Sequence, residues 1–385
     1  MTDNFNFDNL IDRRNTASMK WDRYRGTDIL PMWVADMDFQ SPPEVMAALR
    51  RRVNHGVFGY SRPPEDLIEI TLNMLEYRYG WAVKPHWLVW LPGLVTGINV
   101  SCRATGQGGD DVITAIPVYP PFLTAPGLNE RTLTTVPLID NEKNWALDFD
   151  KLEEAVTPRT RLFLLCNPHN PVGCVFTSDE LRRLVTFCDK HDLVICSDEI
   201  HCDLILDPDK THFPTAMLSS GAADRTITLM APSKTYNIAG LGCSLAVISN
   251  ATLRKRFKAA MEGLIPDVNI LAFIAATAAY RHGEPWRQAL IEYLRGNRDI
   301  VIQTVNNMAG LDIKPIDATY LAWIDTRQSG LKKPAAFFER AGVGLNNGQD
   351  FGGPGFVRLN FGCPRSTLKT GLNRMATAMT TGTTH

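Results

Sequence analysis

Residues 226–242, TITLMAPSKTYNIAGLG, decide how the rest of the chain is read. A β-rich apolar run, 227–230, stops at Ala231-Pro232, and Ser233-Lys234 stand at its mouth. Gly240 and Gly242 let the chain turn tightly before a second apolar run, 244–248. A lysine between two buried strands is easily desolvated, which lowers its pKa and frees its amine for Schiff-base chemistry. A lone Ser-Lys pair is ordinarily a piece of surface loop. What gives this one weight is the sequence upstream of it.

Working outward, the pattern alternates. Short apolar runs at Leu88–Leu91, Asp111–Ile116, Thr132–Pro137, 162–166 and 193–197 read as strands. Between the last two, Thr177 and Glu180 have capping-box spacing at the head of a helix over 177–191, with Leu181, Leu184, Val185 and Cys188 on one face. Pro92-Gly93-Leu94-Val95-Thr96 turns from strand to helix and would present free N–H groups at a positive dipole end, which suits a phosphate. Pro117 to Pro121 reads as a loop. Nearer the amino terminus, Ser41-Pro42-Pro43-Glu44 opens a helix to His55 with Ser41 as its cap. The loop GVFGYSRP, 56–63, then exposes Tyr60, and Pro64-Glu65-Asp66 open a second helix ending near Gly80. Residues 1–40 read as irregular apart from a short run at 30–34 and an acidic turn at 35–38. Strands buried on both faces and alternating with helices predict a doubly wound α/β domain over 46–275, with 1–45 and 276–385 forming a smaller domain.

Ligands of such sheets sit at the carboxyl ends of the strands. Four polar clusters fall there: Tyr119, the loop Asn167-Pro168-His169-Asn170-Pro171-Val172-Gly173, Asp198-Glu199-Ile200-His201, and Ser233-Lys234. Each alone is ordinary turn chemistry. Together they match the needs of pyridoxal 5′-phosphate: a lysine for its aldehyde, an anion for its pyridine nitrogen, a donor to its phenolic oxygen, an aromatic ring to stack on and an N–H-rich phosphate cradle. Lys234, Asp198, Asn170, Tyr119 and the turn at Leu94 and Val95 fill these roles in order. His201 could reach the cofactor's face or oxygen. Lys84, Lys143, Lys151 and Lys190 lie beside charged or loop residues, where solvation keeps an amine protonated.

Composition bounds the rest. The 385 residues are 44% apolar and carry 40 basic against 41 acidic side chains, so no attraction to nucleic acid or anionic membrane is expected. The polar start MTDNFNFDNLIDRR lacks a signal-peptide core, and no apolar stretch approaches membrane-spanning length; a cytoplasmic protein is expected. The eight cysteines are scattered without a CxxC pair or a matching His cluster, which argues against a metal site or a disulfide framework.

The order PVYPPF, CNPHNPVG, SDEIH, APSKTYN and FVRLNFGCPR resembles the fold-type-I, class I/II aminotransferase superfamily. Within it, LPMWVADMDF at 30–39, HGVFGYSR at 55–62, SDEIHCD at 197–203 and RLNFGCPRS at 358–366 resemble the MalY/PatB group of carbon–sulfur β-lyases. The resemblance covers essentially the whole chain. It implies a large domain around a mostly parallel, seven-stranded-type sheet and a small α+β domain from both termini. It also implies a homodimer with shared active sites, Tyr60 reaching the partner's cofactor, and Arg358 clamping the substrate carboxylate with Asn170. Asn167 joins the cofactor-binding set. Two departures stand out: no arginine follows Lys234 through Ser244, and Ala231 stands where many relatives carry a serine. Phosphate binding would then lean on Ser233, the Leu94 and Val95 N–H groups and Tyr60.

The implied reaction is α,β-elimination of cystathionine or another S-substituted cysteine to thiol, pyruvate and ammonia. An aminotransferase would use the same residues, Lys234 returning the proton elsewhere; the missing second arginine favours the lyase. A third reading is non-enzymatic, a partner of a transcription regulator, since members of the group can bind one. The glycines at 342, 344, 348, 352, 353 and 355 suggest a mobile loop near the substrate.

Overall fold

The computed structural model describes residues 5–141 and 144–381; residues 1–4 of the polar start and Lys143 lie outside them. At its centre is a seven-stranded sheet made of β1 (Leu88–Leu91), β2 (Asp111–Ile116), β3 (Thr132–Pro137), β4 (Thr160–Cys166), β5 (Val194–Asp198), β6 (Thr226–Met230) and β7 (Ser244–Val247). Their order across the sheet is β1-β7-β6-β5-β4-β2-β3, and only β7 runs antiparallel to its neighbours. β6 and β7 are buried along their whole length, as a sheet covered on both faces requires. The class expected from sequence, α/β with a mostly parallel sheet, is the observed one. Strand bounds moved by a residue or two: β4 starts at Thr160, and β5 ends on Asp198, one residue past the expected strand.

Helices flank the sheet: α1 (Pro43–His55), α2 (Glu65–Tyr79), α3 (Leu94–Ala104), α4 (Pro120–Leu128) and α5 (Ser178–Lys190), with α6 (Ile270–His282) and α7 (Glu284–Asn306) further along. The Thr177–Glu180 capping box is present, Thr177 Oγ1 accepting from Glu180 N at 3.2 Å and Glu180 Oε2 from Thr177 N at 2.9 Å. A second sheet, ordered β8-β9-β11-β10, is antiparallel and comprises β8 (Asp312–Ile313), β9 (Leu321–Asp325), β10 (Asn346–Asn347) and β11 (Phe356–Asn360).

Four local expectations need correction. Ser41 does not cap α1. Pro42 holds that place without a side-chain bond, while the Ser41 hydroxyl donates to Asn237 O at 3.0 Å, spent on the lysine loop. The loop expected at Pro117 to Pro121 is present over 117–119, but α4 begins at Pro120, since proline fits a first helical turn. Of the run 30–34 only Leu30–Pro31 forms a strand, paired with Val343–Gly344, and 33–37 continue as an irregular strap that bends at 34–35. The glycines of 342–355 serve close approach. A Cβ on Gly348 would lie 2.3 Å from Gly353 O, and one on Gly353 would lie 2.5 Å from the Trp323 ring, so this segment is packed against the small sheet.

The lysine loop is tied down from behind. Asp203, buried, accepts from Tyr79 Oη at 2.6 Å and pairs with Arg78 at 2.7 Å, and Arg78 also donates to Tyr236 Oη at 2.9 Å. Tyr236 stands two residues past Lys234 and is fully buried. In front, Gly242 takes φ +69° and approaches Pro92 so closely that a Cβ would sit 2.6 Å from its carbonyl oxygen. Gly242→Ala combines a left-handed backbone with that clash. It is expected to cost about 2–5 kcal/mol of stability in urea unfolding, and a change below half a kcal/mol would show that the contact does not constrain the loop.

Candidate active site

The carboxyl ends of β4, β5 and β6 and the turn after β1 surround a cavity of about 410 Å³. Lys234, Asp198, Asn170, Tyr119, His201, Ser233, Leu94, Val95 and Arg358 all line it. These are the clusters expected to meet at one sheet edge, and the fold brings them together.

Lys234 follows β6, and its Nζ donates to Ala35 O at 2.6 Å. Desolvation brings its pKa down from 10.5 to about 8, with Asp36 and Asp198 pulling upward and Arg358 downward. Ala35 belongs to the strap, whose carbonyl groups receive donors one after another. Trp33 O takes Arg358 at 3.0 Å, Ala35 O takes Lys234 and the Tyr320 hydroxyl (2.9 Å), and Asp36 O takes Asn360 at 2.7 Å. Val34 O also receives Asn360, and Met37 O receives Asn237 at 2.9 Å. On its outer side the strap is pinned by charge. Lys20, 1% exposed, pairs with Asp38 at 2.8 Å, and Arg13 reaches Asp36 and Asp38, each at 2.7 Å. Burial pushes Asp38 up, yet Lys20, Trp21 and Arg13 together hold it below its ordinary range.

Arg358 comes from β11 of the second sheet and is 3% exposed. It donates to Asn170 Oδ1 and Asn346 Oδ1, both at 2.8 Å, and packs over the Phe351 ring at 4.6 Å. Burial pushes it down to about 10, which still leaves it protonated at neutral pH. Among the described residues no carboxylate lies within 4.0 Å of either Arg358 or Lys234. Three of the five guanidinium N–H donors are used, and Nε is buried without a partner. This is a cation waiting for an anion.

Asp198 ends β5 and takes one hydrogen bond, from Ile200 N at 3.1 Å. Burial raises it to about 7 in the absence of a cation beside it, helped by Glu199 and opposed by Lys234. His201 is buried with Nδ1 unpartnered, and burial lowers it to about 3, so its ring is neutral. Tyr119, the residue before α4, contributes the wall. At the other end of the cavity the first turn of α3 offers N–H groups with no intrahelical acceptor. An uncompensated carboxylate, an orphaned imidazole nitrogen, a flat aromatic wall and an N–H cradle fit a phosphorylated pyridine aldehyde, group by group.

Two expected site residues are elsewhere. Asn167 lies beneath the floor, fully buried, its Oδ1 accepting from Phe176 N at 3.2 Å. Tyr60 is fully exposed on its loop, outside the cavity of its own subunit. Conversely, Trp33, Ala35, Tyr320 and Asn346 were not singled out from sequence. Their contributions are backbone carbonyls or side chains brought in over long sequence distances, and no local pattern marks them.

Comparison with known proteins gives this geometry its context. Residues 27–375 match the family model for aminotransferase class I and II. The chain belongs to that family. It is 37% identical over 386 residues to cystathionine β-lyase PatB of Bacillus subtilis, covering 97% of this chain and all of the relative. Among solved structures, OvoB is similar at a TM-score of 0.96 and 49% identity, with 98% of this chain and 100% of that chain covered. Cystalysin of Treponema denticola, whose crystal structure contains pyridoxal 5′-phosphate, is similar at a TM-score of 0.93 and 32% identity, with 98% and 99% covered. The family resemblance read from the motifs is therefore correct at the level of class and group.

The setting of Lys234 yields a direct expectation. In cofactor-free protein, acylation of Lys234 followed by peptide mass spectrometry should reach half its maximal rate near pH 8, because only the neutral amine reacts. A midpoint at the ordinary lysine value of about 10.4 would refute the desolvated setting.

Proposed function

We propose that the chain is a cytoplasmic pyridoxal-phosphate-dependent carbon–sulfur β-lyase, converting S-substituted cysteines such as cystathionine to a thiol, pyruvate and ammonia. One observation carries the reading: Lys234 and Arg358, neither compensated by a carboxylate, hang from adjacent parts of one strap and share a cavity with Asp198. That spacing serves an amino acid whose carboxylate and Cα must be held at once. The relatives named as cystathionine β-lyases, PatB among them and one from Corynebacterium glutamicum at 34% identity, supply the reaction class.

When bound, the cofactor supplies an aldehyde that condenses with amines and a protonated pyridine ring that withdraws electrons from Cα. Lys234 provides the amine for that aldehyde. Lys234, once free, would take the Cα proton. Asp198 would hold the pyridine nitrogen protonated, and Tyr119 would supply an aromatic wall. Asn170 and the neutral His201 serve the phenolic oxygen. The N–H groups of Leu94 and Val95, with the Ser233 hydroxyl, hold the phosphate without the arginine that is missing after Lys234.

Arg358 binds the substrate carboxylate through its charge and an unspent N–H donor, and the bonds to Trp33 O, Asn170 and Asn346 fix its plane beforehand. With the α-proton on Lys234, the pair left at Cα forms the Cα=Cβ bond as the Cβ–S bond breaks and its electron pair leaves on sulfur; water then hydrolyses the released 2-aminoacrylate, through its imine, to pyruvate and ammonia. A thiolate is a good enough leaving group to outrun proton return.

Phosphate binding is completed across a homodimer. Val57, Phe58 and Tyr60 are exposed on a glycine-hinged loop, which is costly for a monomer and natural at an interface. In the dimer each Tyr60 reaches the phosphate in the other subunit. Asn167, lying below the cavity floor, supports the loop that carries Asn170.

Three measurements test the reading. Lys234→Ala should lose pyruvate production by about 10³-fold or more, and borohydride reduction followed by peptide mapping should place the pyridoxyl label on Lys234. A label on another lysine would end the assignment. Arg358→Lys keeps the charge but not the fork. It should raise KM by roughly 10–100-fold, equivalent to about 1.4–2.8 kcal/mol, with kcat less affected. Mixing Tyr60→Ala with Lys234→Ala subunits should restore activity, because each mixed dimer contains one intact site; no recovery would place Tyr60 outside the shared site. If no S-substituted cysteine yields pyruvate and turnover instead requires a 2-oxo acid, the enzyme is an aminotransferase.

A further inference from the structure

Tyr320 was assigned no part in this chemistry, yet its hydroxyl is one oxygen away from Lys234. The residue immediately precedes β9 and is fully buried. Its backbone is fixed on both sides: Thr319 N donates to Leu204 O and Phe361 N to Tyr320 O, each at 2.9 Å. Its ring meets the His201 ring edge-on, with centroids 6.1 Å apart. Its hydroxyl donates to Ala35 O at 2.9 Å, the same oxygen that receives Lys234 Nζ at 2.6 Å.

We propose that Tyr320 is a positioning residue that sets the basicity of Lys234 by occupying the second lone pair of the Ala35 carbonyl. A peptide oxygen has two lone pairs, and here both are taken. Each donor draws density from the oxygen, and the partially positive hydroxyl hydrogen lies on the same side as the ammonium. The charged form of Lys234 therefore gains less from this acceptor than it would alone, while the neutral amine is little affected. The carbonyl cannot turn away to favour one donor, because the Val34 and Asp36 carbonyls on either side of it are both held by Asn360 Nδ2. Burial pushes the Tyr320 phenol far above its ordinary value, so it remains a donor throughout the working pH range. The other groups bearing on Lys234 are Asp36 of the strap, Asp198 at the end of β5, His201 after it, and Arg358 of β11. None of them loses a hydrogen bond when the Tyr320 hydroxyl is removed.

This inference rests on Lys234 as the proton carrier of the proposed lyase, and its test is readable without cofactor or turnover. In cofactor-free Tyr320→Phe protein, the midpoint of Lys234 acylation against pH should rise by about half to one pH unit. The acidic limb of the kcat/KM profile of the loaded enzyme should move the same way. Tyr236→Phe, which removes a buried hydroxyl two residues from Lys234 but bonded to Arg78, should leave the acylation midpoint in place. 3-Fluorotyrosine incorporated at position 320 retains the ring and strengthens the donor, so it should lower the midpoint; it also answers the question if Tyr320→Phe does not fold. A Tyr320→Phe midpoint that stays put or falls overturns the proposal, as does an equal shift in Tyr236→Phe or an upward shift with 3-fluorotyrosine. Failure of wild-type protein to produce pyruvate would remove the lyase reading while leaving the acylation result intact, so the two failures are distinguishable.

Discussion

Two cations line one cavity with no carboxylate among the described residues within 4.0 Å of either, and the surrounding structure is arranged to make that tolerable. Removing a charge from water costs several kcal/mol even after relaxation. A conventional fold would neutralise Lys234 and Arg358 with aspartates. Here the compensation is dipolar: the carbonyl groups of Trp33 and Ala35 face the two cations, and hydrogen bonds from charged donors contribute about 1.5–3 kcal/mol each. Dipoles stabilise a cation without satisfying it. Arg358 keeps two free N–H groups, and Lys234 keeps a pKa near 8. A pair of carboxylates in the same places would have made a poorer anion-binding site.

The strap can do this because its own charges are settled on the outside. Asp36 and Asp38 spend their negative charge on Arg13 and Lys20, leaving the carbonyl row to face inward. Asn360 and Asn237, one from each side of the cavity, bond to its backbone. Asn360, two residues past Arg358 in β11, and Asn237, three residues past Lys234 in the lysine loop, thus grip the same short segment.

The sheet and the groups at its carboxyl ends were legible in the sequence because they obey local rules. Strands buried on both faces write themselves as continuous apolar runs, and a ligand edge is marked by proline, asparagine and glycine turns. Lys234, Asp198, Asn170 and Tyr119 follow from that logic alone. Arg358 required family resemblance, since an arginine within FVRLN has no local mark of function. The strap's segment, LPMWVADMDF, helped carry the family resemblance, but its role was not legible. Its contribution is made by backbone oxygens, which every residue has, and its partners lie far away: Lys234 is 199 positions from Ala35, and Arg358 is 325 from Trp33. Ser41 failed for a related reason. Its cap-like sequence context was overruled by a distant carbonyl, that of Asn237.

The antiparallel β7 is the last strand of the central sheet to be synthesised, whereas Arg358 belongs to the second sheet, far closer to the carboxyl terminus. A nascent chain on the ribosome can therefore complete the platform that carries Lys234 and Asp198 while the carboxylate clamp does not yet exist. During that interval the strap carbonyl that receives Lys234 also lacks Tyr320 and the grip of Asn360, so neither the setting of the lysine nor the carboxylate clamp is complete. The order in which the polypeptide emerges thus leaves both to be finished together, by the last part of the chain.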